Sequence, residues 1–227
     1  FGRIPRSDAQ FAPCVFVRCA GHMCLIAQDL TLYLVTDPIL CPGPLLIETV
    51  TAAVKGGVSF VQLRDKDATT SERVDMARAL KTCLRGTGVP LVVNDDLDAA
   101  IAADVDGIHI GQDDIAVEEA RARLGSGKIV GLSCETPTQV KAVNADMVDY
   151  LGLGTVFATS TKADHKPTIG LSGLAKMARL SPVPSVAIGG LKVDHAKAVL
   201  RAGCDGMAVV SAICGQPNPK AAAKALR

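Results

Sequence analysis

Two acidic doublets, Asp95-Asp96 and Asp113-Asp114, lie in one stretch of the chain, VVNDDLDAAIAADVDGIHIGQDD over Val92–Asp114. Each follows a short apolar run, Val89–Val93 for the first and Asp106–Ile110 for the second, with Asn94 and Gln112 alongside. The two runs read as strands, and Leu97–Ala103 between them as a short helix. Ligands of a parallel sheet gather beyond the carboxyl ends of its strands, and neighbouring strands run about 4.8 Å apart. Carboxylates just past two adjacent strand ends would therefore reach one hard cation. Asp and Asn oxygens suit Mg2+, which takes one or two carboxylates and completes its shell with water and phosphate oxygens. Taken singly, each doublet reads more simply as a helix N-cap. Their equivalent places on successive units favour a shared metal.

Three further groups carry charge or hydroxyls at comparable places. The apolar run that starts at Val58 ends in Gln62-Leu63-Arg64-Asp65-Lys66. Strand alternation turns Gln62, Arg64 and Lys66 to one side, towards the mouth of the sheet. An Arg fork beside a Lys point charge would hold a diphosphate; surface pairing with Asp65 or Asp67 accounts for them equally. The long connection Gly154–Gly170 contains Thr159, Ser160, Thr161 and Lys162, a composition suited to an anion and a movable lid. Gly189-Gly190 and Val209-Val210-Ser211-Ala212 end the last two apolar runs, where a phosphate would meet backbone N–H groups. A plain helix-entry turn is the simpler reading of the glycines, but their position in a barrel favours phosphate. His109 lies inside a strand and reads as a satisfied core residue; His165, in the long loop, is a lesser candidate, and His22 and His195 read as surface. Cys134 has no basic partner at motif spacing, so no protein nucleophile is expected. A metal pair, cations for a diphosphate and a separate phosphate cradle together suggest transfer between two phosphorylated molecules, with positive charge stabilising the departing diphosphate.

The elements that must position these groups alternate along the whole chain. After residues 1–29, which match nothing that follows, apolar strands are expected at Leu30–Asp37, Val58–Lys66, Val89–Val93, Asp106–Ile110, Lys128–Ser133, Met147–Gly154, Val183–Gly190 and Gly206–Ile213. Helical segments fall between them, among them Leu45–Lys55, Ser71–Arg85, Val117–Leu124, one opened by Thr136-Pro137, and Val193–Arg201; a last one starts at Pro219. Strands apolar on both faces belong to buried parallel sheets. Eight regular repeats predict an α/β fold, a (β/α)8 TIM barrel over residues 30–227, with 1–29 an extension of unknown structure. A doubly wound open sheet is the alternative, but no G-x-G-x-x-G follows the first strand.

Composition narrows the function classes. The 227 residues are 48% hydrophobic and 21% charged with a net charge of +1, which removes any general electrostatic case for nucleic acid or anionic membrane as partner. No apolar run reaches the roughly 18 residues of a membrane span. Residues 12–27 loosely resemble a signal-peptide core, but Arg18 and His22 interrupt it, and no signal peptide is expected. The chain opens on Phe1 and not Met, consistent with a fragment or a missing upstream portion. Eight scattered cysteines point to reduced thiols and a cytoplasmic location, and the spacing of Cys14, Cys19 and Cys24 fits no zinc site.

The segments LYLVTD, VQLRDKD, VPLVVNDDLDAA, DGIHIGQDD, GLS, DYLGLGTVFATSTK and VAIGGL…GMAVVSAI, in this order, resemble the thiamine-phosphate synthase family from Leu30 to Ile213. That family is a (β/α)8 barrel joining a hydroxymethylpyrimidine diphosphate to a thiazole phosphate, giving thiamine phosphate and pyrophosphate. The resemblance implies that Gln62, Arg64, Lys66 and Asn94 hold the pyrimidine diphosphate, with Ser133 and Lys162. It implies Asp95 and Asp114 as Mg2+ ligands, and Thr159, Thr161, Gly190, Val210 and Ser211 as the seat of the thiazole phosphate. Arg64, Lys66, Ser133 and Lys162 would act in catalysis. The implied mechanism is dissociative, with diphosphate leaving before the thiazole nitrogen attacks, and the implied partners are small molecules, with a homo-oligomer in view. Residues 1–29 depart from the family, whose short N-terminal segment is more helical. Two rivals are a sister barrel that isomerises a thiazole phosphate and a non-catalytic phosphate-ligand sensor; neither needs a diphosphate grip beside a metal pair.

Overall fold

The computed structural model describes residues 18–19, 22–23, 27–159 and 167–227. Eight parallel strands close into a barrel: β1 (Leu32–Val35), β2 (Phe60–Leu63), β3 (Leu91–Asn94), β4 (Gly107–Ile110), β5 (Ile129–Cys134), β6 (Tyr150–Leu153), β7 (Ser185–Ile188) and β8 (Gly206–Val209). Each pairs with its neighbour in sequence, and β8 returns to β1 through Ala208 opposite Tyr33. The helices between them are α1 (Leu45–Lys55), α2 (Thr70–Leu84), α3 (Leu97–Ala102), α4 (Val117–Leu124), α5 (Pro137–Ala142), α6 (Gly170–Leu180) and α7 (Ala196–Ala202), and α8 (Pro219–Leu226) follows β8. The predicted α/β barrel is the observed architecture.

Strand alternation divides the core in two. Leu32 and Leu34 of β1 face outward into the layer under the helices, while Tyr33 and Val35 face inward with Phe60, Val92, Ile129, Tyr150, Val186 and Ala208. Leu30, at the end of a short 3-10 turn (Ala27–Leu30), belongs to the inner cluster and closes the barrel from below. A two-residue antiparallel pair, Arg18–Cys19 with His22–Met23, precedes it.

The apolar runs overshoot the strands. The ladder is four residues long in β1 and six in β5, because strand pairing ends at the rim while burial does not. Val58, Val148 and Ile213 lie outside the ladder yet remain buried beneath the helices. Local chemistry starts the helices where the sequence indicates. Thr69 with Glu72, and Thr136 with Gln139, form capping boxes for α2 and α5, and Pro137 occupies the first turn of α5.

Candidate active site

Along the barrel's carboxyl rim a cavity of about 270 Å³ opens. Gln62, Arg64, Asn94, Ser133, Thr159, Gly190, Val210 and Ser211, all expected from sequence, line it together. They come from β2, β3, β5 and the loops after β2, β6, β7 and β8, so closure of the barrel is what gathers them. Thr161, Lys162 and His165 lie outside the described residues, as do Ser160 and the side chain of His22. The two ends of the long connection are tied together, with Ile169 N–H donating to Thr155 O at 2.9 Å and Gly170 N–H to Val156 O at 3.1 Å.

Alternation carries Gln62 inward but fails beyond it. β2 ends at Leu63, and the Arg64 N–H turns to donate to Thr36 Oγ1 at 3.0 Å. Arg64 still reaches the rim, on the wall between the cavity and a neighbouring groove beside Asp65 and Arg73. Lys66 is exposed and does not line the cavity, contrary to the expectation that all three side chains face the mouth; its charge acts instead on Asp95. Surface pairing does not account for these cations: among the described residues no ion pair joins Arg64 or Lys66 to Asp65 or Asp67. Asp65 Oδ1 accepts from the N–H groups of Asp67 and Ala68, both at 3.1 Å, which shapes the loop that carries Lys66.

The first acidic doublet divides into two roles. Asp96 is the N-cap of α3, its Oδ1 accepting from Ala99 N–H at 2.9 Å, and its Oδ2 pairs with Arg73 at 2.5 Å. Asp95 sits at φ 61°, a left-handed conformation that is uncommon outside glycine and turns its side chain away from the cap position. There it meets Asp114 within hydrogen-bonding reach, and Asn94 Nδ2 donates to it at 2.5 Å. Asp114 in turn accepts from Gly111 N–H at 2.6 Å, while α4, with Ala116 at its N-cap position, has no side-chain cap. Burial and the facing Asp114 carboxylate push the Asp95 carboxyl up to about 6, against the pull of Asn94 and Lys66. Two carboxylates held face to face, one partly buried, repel each other unless a proton or a cation lies between them. Their all-oxygen donor set fits a hard dication such as Mg2+.

Some residues of the site escaped the reading of the sequence. Lys192 lines the cavity just past Gly189-Gly190, a cation whose position after a paired glycine at a strand end was a usable signal. Gly190 has φ 62°, and a Cβ there would come within 2.5 Å of Ala158 O, so the glycine lets β7's loop pass against the loop after β6. His195 is not a loose surface group: it stacks on Phe157 at 4.3 Å, and its Nδ1 accepts from Lys192 N–H at 3.1 Å. Arg73 of α2 donates from Nε to Asp65 O at 2.9 Å and from Nη2 to Ala68 O at 2.5 Å, so it couples the Lys66 loop to Asp96. His109 is buried, as expected, yet it also forms part of the cavity wall. Burial, with the Glu135 charge adding to it, pushes the Cys134 thiol up to about 12, so at neutral pH it is a thiol and not a thiolate nucleophile.

Known proteins resemble this chain over most of its length. The family model described as thiamine monophosphate synthase matches residues 32–213. A thiamine-phosphate synthase of Xanthobacter autotrophicus is 51% identical over 199 residues, covering 88% of this chain and 94% of its own. One from a Psychrobacter species is 49% identical over 203 residues, covering 88% and 95%. Among solved structures, a thiamine phosphate pyrophosphorylase of Pyrococcus furiosus superposes with a TM-score of 0.79 at 35% identity, covering 88% of this chain and 95% of its own. On the match over residues 32–213 and on these identities, the chain belongs to the thiamine monophosphate synthase family.

Proposed function

We propose that this chain couples 4-amino-2-methyl-5-hydroxymethylpyrimidine diphosphate with 4-methyl-5-hydroxyethylthiazole phosphate, carboxylated or not, to give thiamine phosphate and pyrophosphate, with carbon dioxide also released where the thiazole is carboxylated. The observation that carries the reading is one cavity with two differently equipped ends. Around the rim Arg64 follows β2 and Asn94 lies in β3, next to the Asp95–Asp114 pair, which stands outside the cavity lining, whereas Gly189–Leu191, Lys192, Val210 and Ser211 follow β7 and β8. A sensor or an isomerase of one phosphorylated compound has no use for both.

In this reading the C–O bond to the diphosphate breaks heterolytically and its electron pair leaves with the diphosphate. The thiazole nitrogen then donates its lone pair to the pyrimidine methylene cation, so no protein nucleophile is needed. Arg64 offers a planar fork to the departing oxygens, and Lys66, beside Asp95, adds positive charge at the outer edge. Gln62 and Ser133 hold the pyrimidine ring from the cavity floor and wall. Gly190, Val210 and Ser211 seat the thiazole phosphate through backbone N–H and hydroxyl groups, with Thr159 on the facing loop. Thr161 and Lys162 are assigned to the same two anions by resemblance alone. Asp95 and Asp114 would hold Mg2+, which supplies charge neutralisation to the diphosphate when bound. The substrates are small molecules, and the scattered free cysteines are the ground on which we place the reaction in the cytoplasm.

The test is formation of thiamine phosphate from the two purified precursors, with Mg2+ and again with EDTA. Product that requires the metal is expected. Absence of product under both conditions, with thiazole phosphate still binding, would overturn the coupling reaction in favour of an isomerase or a sensor.

A further inference from the structure

Beneath the cavity, five side chains form one continuous hydrogen-bonded line across the inside of the barrel. Gln62 Nε2 lies 2.6 Å from Tyr33 Oη, and Tyr33 Oη lies 2.7 Å from Tyr150 Oη. Tyr150 Oη is 2.8 Å from His109 Nδ1, and His109 Nε2 is 2.9 Å from Ser133 Oγ. The members come from β2, β1, β6, β4 and β5 in that order. Both tyrosines of the chain are in the line, and both are almost wholly buried. Only its ends, Gln62 and Ser133, and His109 reach the cavity. Space for the line is built in: a Cβ on Gly131 would come within 2.2 Å of the Tyr150 ring. Burial holds both phenols well above their ordinary range, so each keeps its hydrogen at any pH the protein meets.

The hydrogens along such a line are not independent. A phenol owns one hydrogen and a neutral imidazole owns one N–H. With the Gln62 amide donating to Tyr33, the Tyr33 hydrogen passes to Tyr150 and the Tyr150 hydrogen to His109 Nδ1. The imidazole hydrogen then resides on Nε2 and is given to Ser133 Oγ, which leaves the Ser133 hydrogen directed elsewhere. Reversing the amide would reverse every member, and Ser133 would spend its hydrogen on His109.

We propose that Tyr33, Tyr150 and His109 are positioning residues that lock His109 as its Nε2–H tautomer, so that Ser133 presents its hydroxyl hydrogen to the cavity and Gln62 presents its carbonyl oxygen. Resting on the coupling reaction proposed above, this direction suits a ring that carries an amine donor on one side and a nitrogen lone pair on another, as an aminopyrimidine does. A ring with donor and acceptor exchanged would face two mismatched groups, each an unpaired polar atom in a closed site.

The lock is measurable without substrate. Long-range 1H–15N spectra of the full chain labelled with 15N-histidine report which ring nitrogen of His109 carries hydrogen, its signal identified by loss in His109→Asn. The Nε2–H form is expected in the wild type. Tyr150→Phe keeps the ring and removes the hydroxyl, so it should give a mixture of tautomers, and Tyr33→Phe a smaller shift in the same sense. In the coupling assay Tyr150→Phe should lower kcat roughly 10-fold or more, with KM for the thiazole phosphate changed less than about twofold. An Nδ1–H form in the wild type, or wild-type tautomers in both variants, would overturn the lock. A wild-type chain that shows the Nε2–H form but makes no thiamine phosphate would overturn the reaction and leave the lock standing.

Discussion

At the scale of single residues, the acidic doublets show how neighbours of one type acquire different work. Asp96 caps a helix and binds Arg73, whereas Asp95 is turned by its positive φ to face Asp114. The cap reading of this doublet is realised in Asp96, and Asp95, outside the cap, is the residue left to the proposed metal role. Which residue took which could not be read from spacing, since cap and ligand use the same carboxylate and differ only in backbone angle. Asp114→Asn separates the metal role from a structural one. It keeps an oxygen acceptor for Gly111 N–H and removes the charge. Mg2+-dependent turnover should fall by about 100-fold or more, while unfolding free energy should move by less than about 0.5 kcal/mol, as for other exposed positions. Turnover titrated against Mg2+, beside thermal melting of the same variant, checks both; near-normal activity would remove Asp114 from the metal pair.

At the scale of elements, apolar runs and caps were legible, and strand ends were not. The capping boxes of α2 and α5 depend on residues three apart and survive in any context that forms the helix. The expected strand through Lys66 stops instead at Leu63, because ladder pairing with the next strand ends there, a non-local condition. Arg121 of α4 ties elements together at the opposite, amino-terminal end of the barrel. It donates to Met147 O at 2.9 Å, Gly125 O at 3.0 Å, Lys128 O at 2.6 Å and Asp149 Oδ2 at 2.6 Å, and nothing in the sequence singled it out. Arg121→Ala would take the buried cation from Asp149 and the donors from three carbonyls, and should cost about 3 kcal/mol of stability, read from the urea midpoint. The folded fraction should retain normal kcat, since residues at this end of a barrel serve stability rather than chemistry. A loss of kcat without a loss of stability would contradict this division of ends.

At the scale of the whole molecule, charge is placed rather than accumulated. The net charge of +1 gives no long-range attraction, yet Arg64 and Lys192 stand on the cavity wall and Lys66 at its outer edge. Substrates carrying phosphates should therefore feel these cations only at short range, where salt screens them partly. Raising ionic strength from about 0.05 to about 0.2 M should increase KM for both phosphorylated substrates by about two- to fivefold and leave kcat unchanged. Steady-state kinetics at constant free Mg2+ would measure this, and a KM insensitive to salt would argue against an electrostatic role for the mouth.

The sequence alone determined the eight-fold alternation, the rim as the place where polar groups collect, and eight of the residues that line the cavity. These are consequences of local periodicity and of strand polarity, which a chain carries in its order of residues. Tertiary structure alone decided that Lys66 stands off the cavity, that Lys192 joins it, and that Tyr33, Tyr150 and His109 form one line. Tyr33 and Tyr150 are 117 positions apart yet 2.7 Å apart at their hydroxyls. Only closure of the barrel, which places β6 across the interior from β1, brings them to that distance, and no periodicity along the chain encodes a contact between strands that are not neighbours.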